Sequence, residues 1–496
     1  MSGRWHPTYR RVVLEPGFAM ARAHFFYPMI EVSLAHVLML ARQEIITPAQ
    51  GRLLVRGLWQ LLNEGPPADY DPQFEDLFFQ LEAKVAALVG KEAVGNLHVA
   101  LSRNDLDTTM YRMVLREEAL SSGRALIRLR EVLLEIAADH LETVMPAYTH
   151  NQQAQPTTLA HYLAAVEAEL AKDQSRLSGL WSRLNRSPLG AAALGTSGYP
   201  VDREYTADLL GFDGLVENAY EAVASADSST EYAAWAHLLL GHLSRFLTDL
   251  LFWCTNEVAA LRLPPEFVQM SSIMPQKRNP VALEHLRALT TRAMADAVAA
   301  LQQVHNVPFG DINDVNDDLQ PVLRRLHQGV ADILGLLADV VSGLEVNREL
   351  LLERAAGSFA TSTEVADLLV RAAGLPFRTA HRIVSRVVEE LSARGRTLRE
   401  LDLELLDRVA SAEAGRPSGL TPEQLRLAVD PVHFVAVRRV RGGPSPVEMQ
   451  RALQEAKLRL EGDRSELDAR QARLDAARER RRALAIRYLE GGMPEA

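Results

Sequence analysis

The chain reads as an all-α protein, on three observations. Leu239, Leu243, Phe246, Leu250 and Trp253 recur in steps of four and three, which keeps one apolar stripe on one face of a helix. No proline interrupts the chain between Pro200 and Pro264, so a helix much longer than the globular average fits there. Strand-like alternation of apolar and polar residues is hard to find anywhere.

The bulk properties narrow the class. A chain of 496 residues with 47% hydrophobic content buries a large core and is too long for one compact unit. A net charge of -10 and a pI near 5.8 oppose attraction to phosphate backbones or anionic membranes, so no nucleic-acid partner and no membrane partner is expected. The one cysteine, Cys254, sits in an apolar segment, cannot form an internal disulfide, and suits the reducing cytoplasm. The amino-terminal stretch has no charged region followed by a continuous apolar one. No later stretch offers about 18 uninterrupted apolar residues, so the expected localisation is cytoplasmic.

Clusters of loop chemistry divide the chain into an amino-terminal helical region (1–105), a long helical centre (106–356) and a carboxyl-terminal region (357–496). Within the last, Gly442-Gly443-Pro444-Ser445-Pro446 marks a turn, after which Leu453, Leu460, Leu467 and Leu474 recur every seven residues among dense charges. Ala456, Asp463, Arg470 and Ala477 fill the second seam position, so this terminal helix has a partner seam but makes a poor coiled coil, weakened further by Gly462.

Cys/His ligand spacing, a helix-borne metal pair, a Walker loop and a Gly-rich dinucleotide turn are all missing, so neither metal nor cofactor is expected. Three polar segments lie near breaks in the periodic pattern. In Leu97–Asp105, Ser102 and Asp105 read as a helix cap, while Arg103 and Asn104 also offer a guanidinium and an amide to a carboxylate. In Tyr148–Thr158, hydroxyls, amides and an imidazole crowd between two apolar helices. His150 there is either a structural histidine or, given an adjacent carboxylate, an acid or base. In Ser271–Pro280, prolines exclude a continuous helix, and two serines precede Lys277 and Asn279. That segment is either a polar connector or a proton acceptor placed beside anion-stabilising groups.

In this order the three segments resemble the signatures of the argininosuccinate lyase and fumarase superfamily, the third being close to its SS-x-MPxKxNP loop. Ser102–Asp105, Thr149-His150 with Ala154-Gln155-Pro156, Val201–Glu204, Ala366–Val370 and Gly374–Arg378 with Ala380-His381 look like the argininosuccinate lyase branch. The resemblance implies a fumarase/aspartase-like fold whose central long-helix bundle assembles into a homotetramer, with active sites shared by three subunits. It implies a carbon–nitrogen lyase that releases fumarate from an N-substituted aspartate, with argininosuccinate, and hence arginine biosynthesis, the leading expectation. Ser271 is then the base, His150 paired with Glu284 delivers a proton to the departing nitrogen, and Lys277 stabilises the charge that develops. Ser102, Arg103, Asn104, Thr149, Asn279 and Gln320 bind substrate.

The chain also departs from the pattern. Met270 stands where glycine precedes the two serines, and Val99-Ala100-Leu101 replaces Thr-Gly-Arg. Asp314–Leu323 resembles TYNKDLQEDK but has Val315 for tyrosine and Leu323 for lysine, which leaves the leaving amine open. A different N-succinyl amine, or a non-catalytic homologue on the same fold, are the competing expectations.

Overall fold

The computed structural model describes residues 5–492 and is built almost wholly from helices. In the amino-terminal unit, α1 (Phe26–Arg42) is apolar on nearly every side and is buried accordingly. Around it pack α2 (Pro48–Glu64), opened by a Thr47–Gln50 capping box, and α3 (Leu77–Val89), capped by Asp76. Among the described residues no single helix is long and apolar enough to cross a membrane. The segments Pro7–His24 and Phe26–Arg42 meet that test only as a pair bent by 69°.

Five long helices form the centre: α4 (Arg103–Asp139), α5 (Leu159–Leu184), α6 (Asp227–Trp253), α7 (Val281–Gln303) and α8 (Gln320–Ser342). The stripe from Leu239 to Trp253 is buried in their shared core. Side-chain pairings fix their directions. Arg130 meets Glu167 and Arg112 meets the Arg183 carbonyl, so α5 runs against α4. The Trp235 indole N–H bonds the Asp173 carbonyl and Tyr162 bonds Asp249, so α6 runs against α5. Ser122 meets His327 and Arg128 meets Asp339, so α8 runs with α4. Arg325 bonds Asp296 and Gly329 abuts Ala293, so α7 runs against α8. The bundle thus has a near end, holding the N-termini of α4, α6 and α8, and a far end, holding those of α5 and α7.

Strands exist where alternation was hard to find. β1 (Val144–Thr149) and β2 (Gln152–Thr158) form an antiparallel hairpin between α4 and α5, and two further two-residue ladders occur. The hairpin escapes the periodicity test because its polar residues lie on both faces near the turn, where both strands are exposed. It belongs to the far end, with Tyr148 edge-on to Phe252 near the α6 C-terminus.

Beside the hairpin sits a small unit with its own core of Leu369, Ile383, Val387 and Leu406, contributed by α9 (Ser362–Arg371), α10 (Phe377–Ala393) and α11 (Leu403–Ala414). From there α12 (Pro446–Leu489), 44 residues and about 66 Å long, returns along the bundle. Its leucine seam, Leu453 to Leu474, is buried in the central core, so the partner is the chain's own α4 and α5. Asp463, a polar intruder in that seam, meets Arg130 Nη1 at 2.6 Å, and Arg130 also binds Glu167 at 2.9 Å with no exposure of its own. The far tip of α12 places Leu484, Ala485 and Tyr488 in the amino-terminal core. There the Tyr488 hydroxyl donates to the Pro48 carbonyl at 3.1 Å and occupies the space that a Cβ on Gly51 would need.

Candidate active site at two ends of one bundle

At the near end, Ser102 caps α4 and forms a capping box with Asp105. Asp105 is fully buried and accepts hydrogen bonds from the backbone N–H groups of Ser102, Gly190 and Ala192 at 2.8–3.0 Å. Burial pushes its carboxyl up to about 6 against the pull of those donors. It pins the 190–192 loop to the helix start.

In the same first turn, the Arg103 guanidinium is bracketed by Asp76 at 2.5 Å, Asp107 at 3.2 Å and Asp317 at 3.6 Å. Burial alone would lower the arginine's pKa, but the three carboxylates outweigh it and raise it. Asp107 is held well above the ordinary carboxylate range, because burial exceeds the help from Arg103. The Tyr111 hydroxyl donates to Asp317. Gln320, the first residue of α8, is 2% exposed, and its Nε2 donates to the Asn316 carbonyl at 3.3 Å. Arg103, Asn104, Asp107, Asp317 and Gln320 border a cavity of about 380 Å³. Val315 is buried nearby, and Leu323 lies wholly within the central core.

At the far end, His150 and Asn151 form the hairpin turn with φ of 52° and 59°, the left-handed conformation that two-residue hairpins require. Thr149 pairs with Gln152 across the ladder, and both Thr149 and His150 are exposed. The Ser271–Pro280 segment is a second hairpin-like loop, with Gln269–Met270 paired to Arg278–Asn279. At its bend the Ser271 Oγ accepts from the Met274 N–H at 3.1 Å and the Ile273 N–H at 3.4 Å, while the Ser271 N–H donates to the Lys277 carbonyl at 3.4 Å. Two amide dipoles aimed at one hydroxyl oxygen favour its anionic form. Lys277 is exposed, Asn279 is partly covered, and Glu284 is exposed in the first turn of α7. Among the described residues no hydrogen bond or ion pair joins His150 to Glu284 within the chain.

The ten residues singled out in the sequence therefore fall into two groups. Ser102, Arg103, Asn104 and Gln320 lie at the near end, and Thr149, His150, Ser271, Lys277, Asn279 and Glu284 at the far end. α4 spans 37 residues, so about 55 Å of helix separates them in one chain. Sequence reasoning missed Asp76, Asp107, Tyr111 and Asp317. Asp107 had a signal, its four-residue spacing from Arg103 on one helix face, whereas Asp76 had none beyond its role as a cap. Among the described residues no group of histidine, cysteine and acidic side chains is arranged to hold a metal ion.

Known proteins share this architecture. The Lyase family model matches residues 41–295, and the argininosuccinate lyase C-terminal model matches residues 359–436. Argininosuccinate lyase of Methanospirillum hungatei is 40% identical over 436 residues, covering 87% of each chain. Argininosuccinate lyase 2 of Agrobacterium fabrum is 36% identical, covering 90% of this chain and 89% of its own. The crystal structure of EDDS lyase in complex with formate superposes with a TM-score of 0.87 at 32% identity, over 99% of this chain and 97% of that one. Fold and relatives together define a carbon–nitrogen lyase built on a long-helix bundle. Within that class, the chain belongs to the argininosuccinate lyase family of the fumarase/aspartase superfamily.

Proposed function

We propose that the protein eliminates an amine from an N-substituted aspartate and releases fumarate, in active sites that separate subunits of a cytoplasmic homotetramer complete together. The observation that carries this reading is the Ser271 oxygen, which receives two backbone N–H groups on a loop that also bears Lys277 and Asn279. In the step, the Ser271 oxygen takes the proton from the carbon beside a carboxylate. The electron pair moves onto that carboxylate, which Lys277 and Asn279 stabilise. It then returns to form the carbon–carbon double bond as the carbon–nitrogen bond breaks, and His150 with Glu284 supplies a proton to the departing nitrogen. Ser102, Asn104, Thr149 and Gln320 hold the substrate, and Arg103 orders the carboxylates around its binding cavity.

The 55 Å separation of the two groups supports a shared site, since an antiparallel neighbour brings its far end to this chain's near end. Argininosuccinate, yielding arginine and fumarate, is the leading substrate by relationship. The apolar Val315 and Leu323 favour a second reading, a different N-succinyl amine. The test is fumarate release followed in the ultraviolet. Asn104→Ala and Ser271→Ala, each inactive alone, are expected to regain part of the activity when unfolded and refolded together. Activity in neither variant nor mixture while the native protein turns over would exclude site sharing, and an active Ser271→Ala protein would exclude this base.

A further inference from the structure

We propose that the carboxyl-terminal unit positions the hairpin that carries Thr149 and His150, and that His161 is the positioning residue that ties this hairpin to the Gly442-Gly443 turn. The inference rests on the reading of His150 as the group that protonates the departing nitrogen. A two-stranded hairpin is at best marginally stable alone, so its aim is set by what packs on it. At its base, Val144 is buried with Ala355 and Val435, the latter from the short helix Pro431–Ala436. Gln155 and Thr157 stand two apart on β2 and therefore share a face. The Gln155 Nε2 donates to the Thr363 hydroxyl at the start of α9 at 3.1 Å, and Thr157 meets His161 in the first turn of α5.

The imidazole of His161 works from both nitrogens. Its Nε2 lies 3.0 Å from the Gly442 carbonyl, which can only accept, so that nitrogen carries a proton. Nδ1 is then the acceptor for the Thr157 hydroxyl at 2.8 Å. The turn that supplies the carbonyl is itself fixed. The Gly442 N–H donates to Glu448 in the first turn of α12 at 2.7 Å. Gly442 has a φ of 84°, and a Cβ on Gly443 would collide with the Arg438 carbonyl, so the turn requires both glycines. A continuous path thus runs from α12 through the turn and the imidazole to β2. Reacting groups misplaced by about 1 Å lose up to about a hundredfold in rate, so this path bears on turnover without touching substrate.

The experiment measures fumarate release from argininosuccinate by the full-length protein, with amide hydrogen exchange across the hairpin, Val144–Thr158, followed by mass spectrometry. His161→Phe is expected to lower kcat about thirtyfold, to change KM less than about threefold and to speed exchange in the hairpin about tenfold. His161→Gln, whose amide nitrogen reaches the Nε2 position, is expected to keep kcat within about threefold of the native value. His161→Asn reaches only the Nδ1 position and should behave like His161→Phe. Gly442→Ala breaks the same tie from the other side, and it carries the test should His161→Phe fold poorly. It is expected to lower kcat about tenfold, and the double variant with His161→Phe should be no slower than His161→Phe alone. Additive losses, equal rates for the Gln and Asn variants, or a lowered unfolding midpoint with kcat unchanged overturn the inference and leave the lyase reading intact. If the native protein releases no fumarate from argininosuccinate or N-butylaspartate, the lyase reading falls and the exchange decides the tie by itself. Faster hairpin exchange in both His161→Phe and Gly442→Ala then upholds it, and unchanged exchange overturns it.

Discussion

The two ends of the bundle are organised differently. At the near end most of the polar groups are tied within the chain: Ser102 to Asp105, Arg103 to three carboxylates, Tyr111 to Asp317 and the Gln320 Nε2 to Asn316. At the far end Thr149, His150, Lys277 and Glu284 stand exposed, and among the described residues Ser271 bonds only within its own loop. In the proposed reading the near end is a binding surface set in place by one fold, the far end presents reactive groups whose surroundings a neighbouring surface supplies, and this division lets the reactive loop move without disturbing the pocket.

The comparison breaks most visibly at Ser271. Ser271→Ala is expected to cut kcat about 10³-fold while leaving the urea midpoint unchanged. A loss of stability there would mean that the far end is as interlocked as the near one. The reverse holds for Arg103→Met, which leaves Asp107 buried without its cation. It should cost about 3 kcal/mol in urea unfolding, and an unchanged midpoint would sink the idea of a preset near end.

A smaller effect sharpens the same contrast through pH. His36 is buried behind the near end, where its Nε2 meets the Val99 carbonyl at 2.9 Å, and burial pushes the imidazole down to about 4. The unfolded chain binds a proton near the ordinary histidine value of about 6.5 that the folded chain refuses. Stability from this group is therefore complete above that value and is lost as pH falls toward 4. The expected loss is on the order of 2 kcal/mol between about pH 7 and pH 4.5, and His36→Gln should remove that slope, as urea midpoints at the two pH values will report. Smallest of all, Ile273→Ser at the loop tip, 84% exposed, is expected to shift stability by less than about 0.5 kcal/mol yet to lower turnover severalfold. Unchanged turnover would remove Ile273 from any role in closing the site.

Much of this molecule was legible in its sequence, for physical reasons that differ by region. The stripe from Leu239 to Trp253 is periodic because one face must be buried, and Ser102 with Asp105 reads as a cap because a helix start leaves N–H groups to satisfy. The β1–β2 hairpin was invisible, because His150 and Asn151 supply its left-handed turn in place of a glycine pair. The carboxylate bracket around Arg103 was invisible too, since Asp76 and Asp317 reach it from distant segments. Sequence order also does not reveal which end of a bundle a loop occupies. The split between Arg103 and Ser271 emerges only from the alternating directions of the helices.

The long return of α12 bears on how the chain acquires its shape during synthesis. Leu484, Ala485 and Tyr488 complete the core that α1 and α2 begin, so an early segment waits for one made much later. Until residue 488 has left the ribosome, the groove over Gly51 and Pro48 stays open and its apolar walls remain uncovered. The contact between these distant segments raises the contact order of the fold, and the emerging chain exposes apolar surface to aggregation for as long as that contact is unmade.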